Sequence, residues 1–322
     1  MNVAITGASG FLGRHLVVEL RRSGHDITAI VRPTSDTSSL ASARIAVADL
    51  NDLDAMQRAF QACEVVYHLA GAVDFGADWE RFHNLNVIGT ANVLQAARRA
   101  GVRRVVHCSS IVAVGASCRP LRLDETADWN LEYLNVPYVT TKWQAEQLAL
   151  KANGENLEVV VANPSAVIGP GDGQSEFGTL CHRFWHGRIP IHFGGGQNYV
   201  DVRDVAIGLR LCGDRGQPGQ RYILGGENRS MTAFFSELAR VARRTYPRMR
   251  LPGALAPAAS MIALRMVQKR HRPAYLSAAQ AKLISFFFFV DSTKARRELG
   301  FASRPIHDSL NAAYSEFELT HV

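Results

Sequence analysis

The chain has 322 residues and is 47% hydrophobic, which is enough to bury the core of one large domain or two smaller ones. Its formal charge of +7 is spread over dispersed basic pairs such as Arg21-Arg22 and Arg243-Arg244, so we predict no nucleic-acid partner. No apolar run has the roughly eighteen residues needed to span a bilayer. The five cysteines form no CxxC pair, which indicates reduced thiols in a cytoplasmic protein.

Short apolar strands alternate with amphipathic helices through the first half of the chain. The predicted elements are a strand at 3–5, helix 11–22, strands 27–31 and 45–47, helix 52–62, strand 65–69, helix 79–100, strand 105–108, helix 138–151 and strand 158–162. This alternation predicts an α/β fold, a doubly wound parallel sheet with helices on both faces. After Pro164 the alternation weakens, and glycine and aromatic residues become more frequent.

A glycine-rich turn joins the first strand to the first helix. Glycines occupy positions 7, 10 and 13, in the spacing Gly-x-x-Gly-x-x-Gly. Glycine permits a positive φ and a close approach of backbone to ligand, and the helix that follows presents free N–H groups to a phosphate. The turn therefore predicts dinucleotide binding, although its spacing differs from GxGxxG. Its candidate cofactor-binding residues are Thr6, Gly7, Ser9, Gly10, Phe11, Leu12 and Gly13.

Arg32 follows the second predicted strand, where an acidic residue would bind the adenosine ribose hydroxyls of NAD. A guanidinium cannot accept those hydrogen bonds, but it pairs well with a 2′-phosphate. We therefore favour NADP(H) as the cofactor, with NAD(H) as the alternative.

Tyr138 and Lys142 stand four residues apart in a predicted helix, so they share one face. A tyrosine with a pKa of about 10 is a poor base near neutrality. A neighbouring ammonium stabilises the phenolate and brings that pKa towards the working range. A catalytic role for the pair is favoured because it follows, along the chain, a predicted nucleotide-binding turn and the strand that ends Cys108-Ser109-Ser110.

Over nearly its whole length the chain resembles the extended short-chain dehydrogenase/reductases of the NAD-dependent epimerase/dehydratase family. It is most similar to their dihydroflavonol-reductase and 3β-hydroxysteroid-dehydrogenase-like members. The matching stretches are TGASGFLG from Thr6, Asp49-Leu50, HLAG from His68, NVIGT from Asn86, CSSIVAVG from Cys108, YVTTK from Tyr138, NPSAVIGPGD from Asn163 and VDSTKARRELGF from Val290.

The resemblance implies a Rossmann fold and a catalytic role for four residues. Tyr138 would be the general acid/base, Lys142 would lower its pKa and bind the nicotinamide ribose, and Ser110 would hydrogen-bond the substrate oxygen. Ser110 is chosen over Ser109 because it stands five residues before Gly115. Asn86 would support Lys142 through backbone or water, unless it is a buried structural asparagine.

The resemblance also implies further cofactor contacts and a division of the chain. Asp49 and Leu50 would lie by the adenine, Leu69, Ala70 and Gly71 would line the cofactor, and Pro164 and Val167 would pack near the nicotinamide. The Rossmann domain would comprise 1–165 and 199–225, and the smaller substrate-binding region 166–198 and 226–322. A homodimer would form through helices 79–100 and 138–151.

Two features depart from the family pattern. Many members have a tyrosine before the glycine that follows the catalytic serine, where this chain has Val114. The loop 116–137 carries Asp124, Glu125 and Asp128 without a decisive catalytic pattern. Both leave the substrate undefined.

Three other segments invite a function. His182 and His186 are spaced as helical metal ligands, with His192 nearby, but no HExxH glutamate accompanies them, so we predict no metal site. The run Phe286–Phe289 is predicted to be a buried strand. Segment 251–266 fits either an interfacial segment touching a membrane or a lid over an apolar substrate.

Three functions remain open. The first is an NADP(H)-dependent reductase or dehydrogenase interconverting a ketone and a secondary alcohol on an apolar or ring-bearing small molecule. The second is a nucleotide-sugar epimerase or dehydratase with tightly bound NAD(P). The third is a non-catalytic nucleotide sensor, disfavoured because Ser110, Tyr138 and Lys142 are all present.

Overall fold

The computed structural model describes residues 1–73, 78–172, 175–189, 191–245, 249–251 and 278–321. Its largest sheet contains seven strands, β1 Asn2–Thr6, β2 Asp26–Val31, β3 Arg44–Val47, β4 Val65–His68, β5 Arg104–Cys108, β7 Glu158–Pro164 and β11 Arg221–Leu224. These strands lie in the order β11-β7-β5-β4-β1-β2-β3, and every neighbouring pair is parallel.

Helices cover both faces of this sheet, which confirms the predicted doubly wound Rossmann fold. The helices are α1 Phe11–Arg22, α2 Leu53–Phe60, α3 Trp79–Phe82, α4 Gly89–Arg99, α5 Pro137–Lys151, α6 Glu176–Trp185, α7 Val202–Arg215 and α8 Met231–Val241. On one face of the sheet, Leu16 of α1 and Val205 of α7 are buried in one hydrophobic core. On the other face, Met56 of α2, Val93 of α4 and Ala149 of α5 are buried in a second core.

Two predicted helices differ in detail from the observed ones, for local reasons. Asp52 caps α2 instead of starting it, because its carboxylate accepts a 2.9 Å hydrogen bond from the Ala55 amide. Ala62 has a φ of 62°, outside the helical region, so the helix ends before it. The predicted helix 79–100 is interrupted by a wider π-helical segment, His83–Ile88, which contains Asn86.

A second, smaller sheet follows the order β12-β10-β14-β6, with β8 also paired to β10. A separate parallel pair of short strands is formed by β9 and β13. The bounds are β6 Arg122–Leu123, β8 Ala166–Ile168, β9 Ile191–Phe193, β10 Gly196–Asp201, β12 Glu227–Ser230, β13 Met249–Leu251 and β14 Phe287–Val290. The division into a dinucleotide-binding domain and a substrate-binding region stays an interpretation.

The second sheet packs on an aromatic core. Tyr199 on β10 and Phe234 on α8 stack with ring centroids 4.1 Å apart, and Trp185 is also completely enclosed. Further α-helices among the described residues are Ala278–Leu283, Thr293–Leu299 and Ile306–His321. No helix in the described ranges is both long and apolar enough to cross a membrane.

The segments singled out near the C-terminus fall in different places. Three residues of the phenylalanine run lie in β14, which begins at Phe287, one residue later than predicted. Side chains of β14 alternate between half-buried and buried positions, so only one face of this strand lies in the core. His182 and His186 pack edge-on against the ring of Phe317, at 5.1 and 5.0 Å. Of the proposed lid or membrane segment, residues 252–266 lie outside the described residues.

Candidate active site

The predicted site residues gather at one edge of the seven-stranded sheet. Because all seven strands are parallel, their carboxyl ends meet at this edge, where α/β proteins bind ligands. Thr6 ends β1, Arg32 and Asp49 follow β2 and β3, and Leu69 follows β4. Ser110 follows β5, and Pro164 ends β7.

The glycine turn is packed so closely that its backbone excludes side chains. Gly7 has a φ of +73°, and a Cβ there would lie 2.7 Å from the Ala70 amide nitrogen. A Cβ at Gly13 would lie 2.1 Å from the Gly7 carbonyl oxygen. The turn ends at Gly10, which precedes α1, so the free N–H groups of that helix's first turn face the sheet edge. Such a cradle fits a dinucleotide phosphate.

Two hydrogen bonds of the Thr6 hydroxyl connect the end of β1 to the end of β4 and the residues after it. The Thr6 hydroxyl accepts from the Ala70 amide at 3.3 Å and contacts His68 Nδ1 at 2.8 Å. His68 Nε2 lies 3.0 Å from the hydroxyl of Thr90 on α4. Burial lowers the pKa of His68 to about 3, so this ring is neutral and adds no charge to the site.

Leu69 and Ala70 are thereby held half-buried beside the turn, with Gly71 exposed. Ser9, Phe11 and Leu12 are also half-buried, and the Phe11 ring packs edge-on against His15 at 5.6 Å. The HLAG motif that begins at His68 matches the family, but the sequence did not predict the hydrogen bonds of the His68 ring.

Arg32 and Asp49 lie at the outer strands of the same edge. Val31 and Val47 are register partners in β2 and β3, so the chain segments after them run alongside each other. Both Arg32 and Asp49 are exposed, and no described residue bonds the Arg32 guanidinium. Leu50 is half-buried, and its Cδ1 lies 2.9 Å from the point where Gly89 would carry a Cβ.

Lys142 is fixed to the end of β5. Its ammonium donates a 2.9 Å hydrogen bond to the Cys108 carbonyl, two residues before Ser110. Burial lowers the pKa of Lys142, while nearby Cys108 and Glu146 oppose that shift. Lys142 therefore presents a desolvated cation next to the serine segment.

Tyr138 and Ser110 are both half-buried, in contrast to Ser109. Tyr138 stands one helical turn before Lys142 on α5, and its ring packs 5.9 Å from that of Phe82. Ser110 opens a short 3-10 turn, and its hydroxyl accepts from the Val112 amide at 3.4 Å. Ser109 is only 5% exposed, which leaves Ser110 as the more accessible hydroxyl.

Asn86 is completely enclosed and bonds other partners than Lys142. Its amide oxygen accepts from the Ala72 amide at 2.7 Å, and its nitrogen donates to the Ala72 carbonyl and to the Thr141 hydroxyl, each at 3.2 Å. Thr141 precedes Lys142 on α5. Support of Lys142 through backbone or water stays a prediction.

The nicotinamide end of the predicted site is formed by β7 and β8. Pro164 is buried at the end of β7, and Val167 is half-buried on β8. Asn163, which precedes Pro164 in β7, forms a polar group with Glu146 and Arg221 through hydrogen bonds to the Glu146 carboxylate. Sequence reasoning missed this group. Asn163 lay in a quoted motif, but nothing in the sequence indicated its partners.

Comparison with known proteins identifies the family. The model of the "NAD dependent epimerase/dehydratase family" matches residues 3–225. The chain is 33% identical over 322 residues to "Putative dihydroflavonol 4-reductase" of Synechocystis sp., covering 98% of this chain and 94% of that protein. It is 31% identical to "4-hydroxy-2-methyl-3-oxo-4-farnesyl-3,4-dihydroquinoline-1-oxide ketoreductase" of Stigmatella aurantiaca, covering 95% and 93%.

A solved structure extends the likeness to the whole fold. The crystal structure of gox2253 superposes with a TM-score of 0.86 at 31% identity, covering 99% of this chain and 98% of the other. The chain belongs to the NAD-dependent epimerase/dehydratase family, and it is an enzyme of the extended short-chain dehydrogenase/reductase type. The reductase names of these two relatives support NAD(P)-dependent oxidoreductase chemistry.

The packing of the turn predicts that Gly13→Ala weakens nucleotide binding. The new methyl group would overlap the Gly7 carbonyl and force the turn away from α1. Titration of NADPH by nucleotide fluorescence should show affinity lower by about tenfold or more, the loss of one charge-assisted hydrogen bond. Gly154→Ala is the matched control, because nothing lies within 4 Å of its Cβ position. Equal affinity in the two variants would contradict the phosphate-binding role.

Proposed function

We propose that the protein is an NADP(H)-dependent oxidoreductase that interconverts a ketone and a secondary alcohol on an apolar or ring-bearing small molecule. The observation that carries this proposal is the attachment of Lys142 to the strand end that precedes Ser110, at 2.9 Å, one helical turn from Tyr138. A cation, a phenol and a hydroxyl then border the same sheet edge as the glycine turn.

The three side chains divide the work of carbonyl reduction. Bound nicotinamide supplies the hydride equivalent, or accepts it in the reverse direction. Tyr138 donates a proton to the substrate oxygen, which becomes more basic as the carbonyl is reduced. Ser110 donates a hydrogen bond to the same oxygen, and the Lys142 cation makes the phenol a stronger acid.

The substrate class rests on the relatives and not on aromatic residues of the second region. Phe184, Trp185 and Phe193 are at most 4% exposed, so they serve the core. The two relatives are named for a dihydroflavonol and for a farnesylated quinoline oxide; both compounds contain rings, and the second carries an apolar farnesyl chain. We extend that chemistry to this chain.

Nucleotide-sugar epimerisation or dehydration is the second candidate, and the family's own description favours it. The 4,6-dehydratases place acidic residues directly after the catalytic hydroxyl. Here Ile111 and Val112 follow Ser110, so those acids are missing from that position. An epimerase would also keep its nucleotide and give no net oxidation of it.

The preference for NADP(H) over NAD(H) rests on Arg32. Its exposed guanidinium, unbonded by any described residue, stands at the carboxyl end of β2. A 2′-phosphate would give it a charge-assisted partner.

We also propose a cytoplasmic homodimer formed by α4 and α5. These helices pack side by side on one face of the sheet. Ile88, directly before α4, is 41% exposed and offers an apolar contact to a second copy.

Substitution of the three reacting groups should separate turnover from cofactor binding. Tyr138→Phe keeps the ring but loses the proton, so turnover of an aryl or alicyclic ketone should fall by about 10²-fold or more with NADPH affinity retained. Ser110→Ala should mainly lower turnover, and Lys142→Met should lower both. Nicotinamide absorbance and nucleotide titration measure the two quantities. Tyr133→Phe is the control, because Tyr133 is 66% exposed; normal turnover by Tyr138→Phe would refute the mechanism.

Arg32→Ala should erode the preference for NADPH. Loss of a charge-assisted contact to the 2′-phosphate should cost about 1.5–3 kcal/mol in NADPH binding and leave NADH binding unchanged. Isothermal titration of both nucleotides gives the difference, with exposed Arg22→Ala as the control. Equal dissociation constants for the two nucleotides in the unsubstituted protein would rule out the preference.

Light scattering at micromolar concentration should give the mass of two chains. Ile88→Glu should give monomers, because a carboxylate cannot be buried unpaired in the interface. Val18→Glu on α1 should stay dimeric, although Val18 is equally exposed at 44%. A monomeric unsubstituted protein would exclude the dimer.

A further inference from the structure

We propose that Glu146 is a positioning residue for the reaction, which holds the Ser110 backbone in place through Asn163. This inference rests on the proposed function, because it assigns a role relative to Ser110. Glu146 stands one helical turn after Lys142 on α5, so it continues the face that carries Tyr138 and Lys142.

Glu146 is completely buried, and its two hydrogen-bond partners hold its carboxylate in one position. Both Glu146 and Asn163 have no solvent exposure. A carboxylate removed from water is costly unless it is paired and hydrogen-bonded. Each oxygen of Glu146 has one strong partner: Oε1 accepts from Arg221 Nη1 at 3.0 Å, and Oε2 accepts from Asn163 Nδ2 at 2.5 Å.

The second bond of Asn163 connects this pair to the reacting serine. Its Nδ2 also donates to the Ser110 carbonyl oxygen at 3.0 Å. The amide therefore spans from the carboxylate on α5 to the segment after β5. Because the amide has only these two N–H bonds to donate, the negative charge of Glu146 fixes which way Asn163 points.

Arg221 connects the same carboxylate to the loop after β6. Its Nε donates to the Glu125 carbonyl at 2.8 Å, and its Nη2 to the Ala127 carbonyl at 3.0 Å. The Glu125 carboxylate in turn accepts from the Ile223 amide at 2.9 Å. The acidic loop noted in the sequence is thus anchored to β11, and its backbone is tied to the helix that carries Tyr138.

The consequence for the reaction is geometric. Lys142 fixes α5 to the Cys108 carbonyl, and Glu146 fixes it through Asn163 to the Ser110 carbonyl. Two attachments, on both sides of Ser109, set the distance and angle between the serine and the tyrosine. A displacement of about 1 Å at such a position can cost 10²-fold in rate.

The sharpest test is a double-mutant cycle with Ser110→Ala. Glu146→Gln presents an amide N–H or a weaker acceptor to Asn163, so that Asn163 loses its fixed orientation while side-chain volume is kept. We expect turnover to fall about tenfold, with NADPH affinity unchanged. In the Ser110→Ala background, Glu146→Gln should cause less than about a twofold further loss, because the hydroxyl it positions is already absent.

Glu158→Gln is the matched control. Glu158 is the first residue of β7, and Asn163 lies near the other end of the same strand. The Glu158 carboxylate pairs with Arg103 and Arg104 at 3.0 and 2.7 Å. Its loss removes a carboxylate with arginine partners at the opposite end of the strand, and turnover should stay close to that of the unsubstituted protein. A crystal structure of Glu146→Gln should show the Asn163–Ser110 hydrogen bond broken.

The outcomes are distinct. Unchanged turnover in Glu146→Gln, or losses that multiply in the double variant, would overturn the positioning role and leave the proposed function intact. Unchanged turnover in Ser110→Ala would instead overturn the proposed function. Where Glu146→Gln fails to fold, Asn163→Ala removes the same link from the other end, and the cycle is run with that variant.

Discussion

The hydrogen bond from Lys142 to the Cys108 carbonyl is the contact on which the site depends. It joins a helix packed on one face of the sheet to the carboxyl end of a central strand, at 2.9 Å. Without it, α5 and Tyr138 would keep only the attachment through Asn163 to the Ser110 segment. Because the ammonium is desolvated as well as bonded, the same contact places a strong positive field beside the phenol.

Lys142 supplies the positive charge at this contact, and the two histidine rings next to it are neutral. The neighbouring His68 and His107 are completely buried, which lowers the pKa of each ring. Both rings are therefore neutral at physiological pH, and Glu146 is the carboxylate that opposes the desolvation of Lys142. The site thus combines the Lys142 cation, the ion pair of Glu146 with Arg221 and neutral rings, which suits proton transfer by a phenol near neutrality.

Much of this organisation follows from the sequence. The apolar strands, the amphipathic helices and the spacing of Gly7, Gly10 and Gly13 depend on local pattern, and the structure confirms the fold that they predict. The pair Tyr138 and Lys142 was recognisable because four residues is one helical turn. Local pattern carries less information where a strand is very short, as in β6 with two residues.

Contacts between distant residues escaped sequence reasoning. Asn163 follows Glu146 by 17 residues, and Arg221 follows it by 75, so no periodicity links them. The π-helical segment that contains Asn86 has no distinguishing composition, and its packing against α5 could not be seen in the sequence. The frequent aromatic residues after Pro164 did not reveal their position either, and Trp185 and Phe193 are buried.

Transfer of deuterium to a ketone from NADPH that carries deuterium at both C4 positions, followed by mass spectrometry and NMR of the released product, tests the central claim most directly. We predict one deuterium on the carbinol carbon of the product for each NADP⁺ formed, and almost none with Tyr138→Phe. Retention of the label on the nucleotide, with a nucleotide-sugar epimerised and no net NADP⁺ formed, would contradict the account and establish epimerisation instead.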